Sequence, residues 1–169
     1  MRGRYAVYGR IAWHRRNKII ASRNTTMSAT AMDELVLRSR DGTTLTFRIT
    51  HRHPVSEVPI RAHSGSIDFD VEVDASEFTG RACASTCFVG SPSQLFRSMA
   101  QAWKGWLGAM EWKDLDSYVV FKASSDPVGH IRLDVELSGQ TYDCRLRVPL
   151  FFEAGQLDSI ADQVQNLLG

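Results

Sequence analysis

The sequence has few of the features that mark secreted and membrane proteins. Its three cysteines, Cys83, Cys87 and Cys144, are an odd number without the paired spacing of a metal site, and no secretory peptide precedes them. We therefore expect buried free thiols in a reducing cytoplasm. No apolar run reaches the roughly 20 residues that a membrane helix needs, so we expect a cytoplasmic protein that does not contact a membrane.

Catalytic and cofactor motifs are missing as well. The chain has no glycine-rich phosphate loop, no Gly-x-Ser-x-Gly turn and no two histidines at the helical spacing of a metal site. Ser91 stands where a helix cap explains it without a nucleophilic role. The sequence therefore predicts no catalytic residue, no metal site and no cofactor.

Acidic residues are absent from the start of the chain. Residues 1–31 hold seven basic side chains, whereas residues 32–169 carry all 19 acidic residues and 13 of the 20 basic ones. We interpret 1–31 as a basic arm outside the core, either a disordered tail or the result of a start assigned upstream of Met27 or Met32. A nucleic-acid or membrane-binding tail and an organelle presequence are the alternatives. Residues 32–169 then form a single domain, whose negative charge argues against nucleic acid as a partner.

Alternating apolar and polar residues predict a sheet that starts with a hairpin. The alternation runs through residues 35–37 and 45–49, on either side of Asp41-Gly42, a pair that suits a tight turn. It is cleanest in residues 67–73, where it predicts a half-buried strand. Further strand-like runs lie at about residues 80–89, 118–123, 131–137 and 142–150.

Two helical patterns accompany these strands. Ser91 and Pro92 suit the start of a helix, and apolar residues then recur at three- and four-residue spacing through Leu107, with Gly108 as the stop. A second such stripe begins at about Gly155. The sequence thus predicts an α+β fold: an antiparallel sheet of about six to seven strands with a central and a C-terminal helix packed against it. No internal repeat is visible.

The outer face of the strand at residues 67–74 consists of carboxylates. Side chains on one face of a strand stand about 7 Å apart, so this row cannot converge on one ion, and a metal site is the least favoured interpretation. It is either a solvated face or a surface that attracts a cationic protein. Two acidic residues in 131–137 extend the charge if that strand lies near, with Arg132 offsetting part of it. The candidate partner-binding residues are Asp68, Asp70, Glu72, Asp74, Asp134 and Glu136.

A dense aromatic set supplies the second candidate site. Trp103, Trp106 and Trp112 follow the start of the central helix, and His130 precedes a strand. Tryptophans at helical spacing are more often core residues than ligand contacts. If these three instead line a cavity with His130, the cavity predicts a small-molecule-binding domain or an unrecognised enzyme.

Four short segments resemble an uncharacterised family of small bacterial proteins that is common in actinobacteria. They are residues 102–108, 111–112, 126–131 and 152–157. That family is distantly similar to the WapI-type immunity proteins, and the resemblance covers residues 33–168. It implies a cytoplasmic protein that binds and neutralises a toxin, and it supplies no catalytic residue.

The leading hypothesis is therefore a non-enzymatic protein-binding module, an immunity protein or antitoxin that meets a cationic toxin with its acidic sheet face. The alternatives are a small-molecule-binding domain or enzyme with its pocket near the tryptophans, and a structural or regulatory domain whose partner is not a toxin. The first two of these hypotheses place the functional residues at different sites.

Overall fold

The structure, a computed structural model, describes residues 33–55, 64–126, 128–141 and 143–169. All of these residues belong to the unit Ala31–Gly169. The predicted basic arm, residues 1–31, lies outside the described residues.

The described residues form eight strands and two α-helices in the order ββββαββββα. The strands are β1 (Glu34–Arg38), β2 (Thr44–Arg52), β3 (Ile67–Asp74), β4 (Thr79–Ser85), β5 (Ala109–Lys113), β6 (Val119–Ser125), β7 (His130–Ser138) and β8 (Arg145–Glu153). The helices are α1 (Ser93–Gln101) and α2 (Leu157–Leu168), and a 3₁₀ turn, Ala154–Gln156, leads into α2. The predicted α+β class is confirmed, and its strands divide between two sheets.

Each sheet is a four-stranded antiparallel meander. The first has the order β1-β2-β3-β4 and the second β5-β6-β7-β8, so within each sheet consecutive strands pair with each other. The two-sheet arrangement differs from the single sheet of six to seven strands that the sequence predicted. Among the strands, β5 is only five residues long, and the sequence did not predict it.

The two halves of the molecule repeat the same topology with the same register. Phe47 of β2 lies opposite Val71 of β3, and Phe121 of β6 lies opposite Val135 of β7. Aligning β3 with β7 on this register places Asp70-Val71-Glu72 over Asp134-Val135-Glu136. The chain therefore contains an internal structural repeat, which the sequence did not reveal.

The apolar faces of both sheets meet in one core. The rings of Phe47 and Phe121 lie 5.7 Å apart, and those of Phe69 and Trp112 lie 6.1 Å apart. Phe96 of α1 packs edge-on against Phe47, with ring centres 6.2 Å apart. The apolar residues of β1, β3, β7, β8 and α2 belong to the same buried cluster, so each half supplies part of the core of the other.

The first hairpin forms as the sequence predicted. Gly42 adopts a positive φ of 92°, which costs glycine nothing because it has no Cβ. The Asp41 Oδ1 accepts a hydrogen bond of 3.0 Å from the Thr43 backbone N–H. This local bond closes the turn and fixes the register of β1 against β2.

The central helix is shorter than its apolar stripe predicted. It ends at Gln101, and Gly105 has a φ of 102°, a conformation that a right-handed helix cannot contain. Residues 102–108 form a loop in which Trp103 is 55% exposed and Leu107 is fully exposed. The predicted burial of these two side chains is therefore wrong. Within the described residues, neither helix is long and apolar enough to cross a bilayer.

Candidate functional site

A ladder of alternating charges crosses the outer face of each sheet. In the first sheet, Glu34 pairs with Arg48 at 2.8 Å, and Arg48 lies opposite Asp70. Asp70 in turn pairs with Arg81 of β4 and accepts a hydrogen bond of 3.0 Å from the Cys83 thiol. Its side chain is only 3% exposed.

The second sheet repeats this ladder at the equivalent positions. Glu111 pairs with Lys122 at 3.0 Å, and Lys122 lies opposite Asp134. Arg132 and Arg147 both bind Asp134, at 2.8 and 3.2 Å, and the Asp134 side chain is 9% exposed. Arg147 also reaches Glu136, at 3.4 Å.

The pKa of Asp134 shows which effect dominates in this ladder. Burial acts to raise the pKa of this carboxyl, but the hydrogen bonds and positive charges of Arg132 and Arg147 outweigh burial, and the pKa lies below its ordinary value. The negative charge of Asp134 is thus compensated by arginines of the same chain.

This ladder shows how the predicted row of carboxylates is arranged. The four acidic residues of β3 do share an outer face, but Asp70 and Asp134 are buried and held by arginines of the same chain. Asp134 and Glu136 lie on the second sheet, so they do not extend the β3 row within one sheet. Because Asp70 and Asp134 are nearly covered, their arginine partners offset the cost of burying these two charges.

Asp68 and Asp74 distinguish the first face from the second. In the aligned register, Arg132 stands at the position of Asp68 and Ser138 at that of Asp74. The outer face of the first sheet is therefore more negative at both ends of β3. Asp74 accepts a hydrogen bond of 2.7 Å from the Thr79 hydroxyl and is exposed.

Asp68 is held by polar neighbours at the mouth of a groove. Its Oδ2 lies 2.9 Å from the His53 Nε2, and its side chain is 37% exposed. Burial acts to raise the pKa of Asp68, but hydrogen bonds from His53 and Ser85 outweigh burial and lower it. Asp68 therefore presents a carboxylate at this end of the sheet.

The groove beside Asp68, which we call the Asp68 groove, has a volume of about 460 Å³. It is bounded by the end of the first sheet, the β4–α1 loop and the β5–β6 turn, and its lining includes Asp68, Phe88, Asp114, Leu115, Asp116 and Tyr118. Phe88 is 74% exposed and Leu115 is 62% exposed. Large apolar side chains at the rim of a groove are typical of binding sites.

Asp114 organises the wall that the β5–β6 turn provides. It is 5% exposed, and its Oδ1 accepts a hydrogen bond of 2.7 Å from the Val119 backbone N–H. Burial raises the pKa of this carboxyl, although the hydrogen bonds from backbone N–H groups counteract burial. Asp114 therefore shapes the turn that displays Leu115 and Asp116.

Two non-glycine residues with positive φ lie beside this groove. Phe88 has a φ of 64° and Ser117 a φ of 58°, and among the described residues no other non-glycine residue has a positive φ. Such conformations cost free energy and occur preferentially at functional sites. The sequence pointed to neither residue: it placed Phe88 in the strand-like run 80–89, whereas β4 ends at Ser85. The composition of Asp114-Leu115-Asp116-Ser117 indicates a turn but not its backbone angles.

The four residues of the second candidate site do not form one pocket. Trp112 lies in the core, stacked on Phe121 with ring centres 5.5 Å apart, and donates its indole N–H to the Gly90 carbonyl. Trp103 is exposed on the loop after α1. Trp106 and His130 border two neighbouring depressions of about 470 and 270 Å³.

His130 has a structural partner in its own turn. Its Nδ1 lies 2.8 Å from the Asp126 Oδ2, while the Asp126 Oδ1 accepts hydrogen bonds from the Val128 and His130 backbone N–H groups. These bonds close the β6–β7 turn. In the part of the chain that the structure describes, no three His, Cys, Asp and Glu side chains are arranged to hold a metal ion.

The cysteines differ from the prediction in their exposure. All three are free, but Cys83 and Cys144 are exposed, and Cys87 is the buried one. Cys83 lies on the outer face of β4, opposite Asp70, where the sheet alternation turns it away from the core.

Residues 39–169 match the model of a family of unknown function, DUF6228. The match spans most of the chain and nearly all of the described fold. The chain belongs to this family. The predicted membership of an uncharacterised family is thereby confirmed at the family level.

Two other comparisons add no function to the DUF6228 assignment. No curated protein matches the chain. A solved structure of Trypanosoma brucei MRP1/MRP2 is similar at 15% sequence identity, with 78% of this chain and 81% of that chain covered and a TM-score of 0.40. A similarity at that score supports no statement about this chain.

Proposed function

We propose that this protein is a non-enzymatic protein-binding module that meets a cationic partner with the outer face of its first sheet. The observation that carries the proposal is the difference between the two repeated faces. Their shared ladder is neutralised within the chain, whereas the residues that differ, Asp68 and Asp74 against Arg132 and Ser138, leave the first face more negative. A face of one charge attracts a partner of the opposite charge and speeds their encounter.

A toxin is the specific partner that we propose. The support is the resemblance of residues 33–168 to a bacterial family distantly similar to WapI-type immunity proteins. A toxin that acts on nucleic acid needs a basic surface, and an acidic sheet face is complementary to such a surface. The immunity protein would then act by occupying that surface in the cytoplasm.

The test compares the wild-type chain with the double variant Asp68→Asn and Asp74→Asn. Tagged protein is used to isolate partners from the source cells, and the association rate of a recovered partner is then measured against salt concentration. We expect the variant to associate roughly tenfold more slowly at low salt, and the difference to shrink at high salt because ions screen exposed charges. For a toxin, expression of the partner alone arrests growth, and co-expression of the wild-type chain restores it.

The matched control removes two exposed carboxylates from α2, by Asp158→Asn and Asp162→Asn. This variant has the same change in net charge and should associate at the wild-type rate. If the Asp68→Asn and Asp74→Asn variant associated as fast as the wild-type chain, the first face would not be the binding surface. Thermal melting verifies that each variant is folded.

A further inference from the structure

Building on the proposed function, we propose that the Asp68 groove receives a bulky apolar side chain of the protein partner, next to a lysine or arginine in the same segment. The groove opens at the end of the acidic face, since Asp68 belongs both to β3 and to the groove lining. A partner that lies on the face can therefore reach the groove without a second contact surface.

The size and lining of the groove fit an apolar side chain. Its volume of about 460 Å³ lies within the range of roughly 300–1,000 Å³ that is typical of ligand pockets. Phe88 and Leu115 stand at its rim with most of their surface in water. Insertion of an apolar side chain between them would remove apolar surface from water on both partners, which favours binding.

The negative charges of the groove favour a cationic residue of the partner next to the inserted apolar side chain. Among the described residues that line the groove, the charged ones are Asp68, Asp114 and Asp116, all of them acidic. The equivalent end of the second sheet has a smaller depression of about 270 Å³, and there Arg132 takes the place of Asp68. A cationic neighbour would thus be favoured at the first site and an acidic neighbour disfavoured.

Phe88 gives a second, independent argument for an occupant. An exposed phenylalanine with a φ of 64° is strained, whereas glycine would adopt this φ without cost. Folding alone therefore gives no reason for a large ring at this position. Contact with an apolar group of the partner supplies that reason.

The direct test uses three capped dipeptides, Phe-Arg, Phe-Glu and Gly-Arg, with the full chain. Binding is followed by the shifts of backbone amide signals in NMR spectra. We expect Phe-Arg to shift the amides of Phe88, Leu115 and Tyr118, and the other two peptides to shift them several-fold less. Equal shifts with Phe-Glu, shifts confined to other parts of the chain, or no groove shift with any of the three peptides would overturn the inference.

Two glycine variants separate a binding role from a structural one. Phe88→Gly relieves strain and removes the ring, so we expect an unchanged or higher Tm together with at least a tenfold loss of partner and Phe-Arg affinity. Ser117→Gly relieves the other strained residue but keeps the apolar rim, and it should bind as wild type does. A Phe88→Gly variant that binds as tightly as wild type overturns the inference.

The outcomes of these experiments distinguish failure of the groove inference from failure of the proposed function. If the partner binds Phe88→Gly normally but binds the Asp68→Asn and Asp74→Asn variant more slowly, the proposed function stands and the groove inference fails. If partner binding is unaffected by loss of both carboxylates, the proposed function fails, whatever the dipeptides show.

Discussion

At the scale of single residues, the buried aspartate at the centre of each sheet explains most of the outer-face chemistry. Asp70 and Asp134 are each almost fully covered, and each is paired with an arginine of the following strand. A buried carboxylate without such a partner would cost several kcal/mol. These two residues therefore belong to the fold, and a charge-reversal experiment on them would report unfolding instead of binding.

Cys83 should be a slow nucleophile although it is exposed. The hydrogen bond from its thiol to Asp70, together with partial burial of the side chain, raises the pKa of this thiol. Because the thiolate is the reactive form, we expect iodoacetamide at neutral pH to modify Cys83 several-fold more slowly than it modifies the cysteine of a short unstructured peptide. Mass spectrometry of digested samples taken over time gives the rate for each cysteine.

The same protein in denaturant provides the control for this prediction. Once the chain is unfolded, Asp70 no longer accepts the bond, and Cys83 should react at the rate of the reference peptide. If Cys83 reacted equally fast in the folded and the unfolded chain, the hydrogen bond from its thiol to Asp70 would not be lowering its reactivity.

At the scale of the element, β3 shows what the sequence could predict. Its strict alternation of apolar and acidic residues predicted both the strand and the face that each side chain occupies, and Ile67–Asp74 is the observed strand. The partners of Asp70 could not be predicted, because they depend on the register of β3 with β4, which places Cys83 opposite Asp70 and Arg81 two residues further along, opposite Glu72. That register depends on a hairpin whose turn carries no clear signal.

The end of α1 and the groove depended on information that an apolar pattern does not contain. The apolar stripe continued to Leu107, although the helix ends at Gln101 and the positive φ of Gly105 is incompatible with a right-handed helix. The groove is assembled from three separate elements. Its essential residues, Phe88 and Leu115, are exposed hydrophobic residues in loops, and single exposed hydrophobic residues are common enough to give no signal by themselves.

The pairing of β7 with β8 through Asp134 gives a prediction about stability and pH. The pKa of Asp134 is lowered from 3.8 on folding, so its contribution is present above that value and is lost as the pH falls through the lower, folded-state pKa. We expect Asp134→Asn to reduce the free energy of unfolding by about 1–3 kcal/mol at neutral pH, as for a hydrogen bond to a charged group. The deficit relative to wild type should shrink below about pH 4, as measured by chemical denaturation across the pH range.

Asp162→Asn is the matched control for Asp134→Asn. It removes an exposed carboxylate from α2, and a surface change of this kind should alter the free energy of unfolding by no more than about 0.5 kcal/mol. An Asp134→Asn deficit that stayed constant down to the acid limit would show that the lost contribution is packing and not charge.

At the scale of the whole molecule, the two sides of each sheet have different roles: the inner side forms the core and the outer side carries the charges. The inner faces of both sheets share one core, as the contact between Phe47 and Phe121 shows. The outer faces share a charge ladder but differ in net charge at Asp68 and Arg132. The buried aspartates of the ladder occur in both halves, whereas Asp68 and Asp74 occur only in the first, and this is the face to which we propose that the partner binds.

The shared core also predicts that neither half folds alone. A chain of residues 33–108 would expose the inner face of the first sheet, including Phe47 and Phe69, which the second sheet covers in the intact protein. We expect this half to show no cooperative thermal transition by circular dichroism and poorly dispersed NMR signals. Co-expression with residues 109–169 should restore a soluble complex with a cooperative transition, because the second half supplies the missing apolar surface.

Residues 32–169 expressed as one chain are the control for this experiment and should melt cooperatively. The comparison tests whether the two halves share one core, because independent domains joined in tandem would each melt alone, whereas halves that share a core cannot. A cooperative transition in residues 33–108 by themselves would mean that α1 covers the first sheet well enough without the second. In that case the contact between Phe47 and Phe121 would be an interface between two domains, and residues 32–169 would have to be described as two domains and not one.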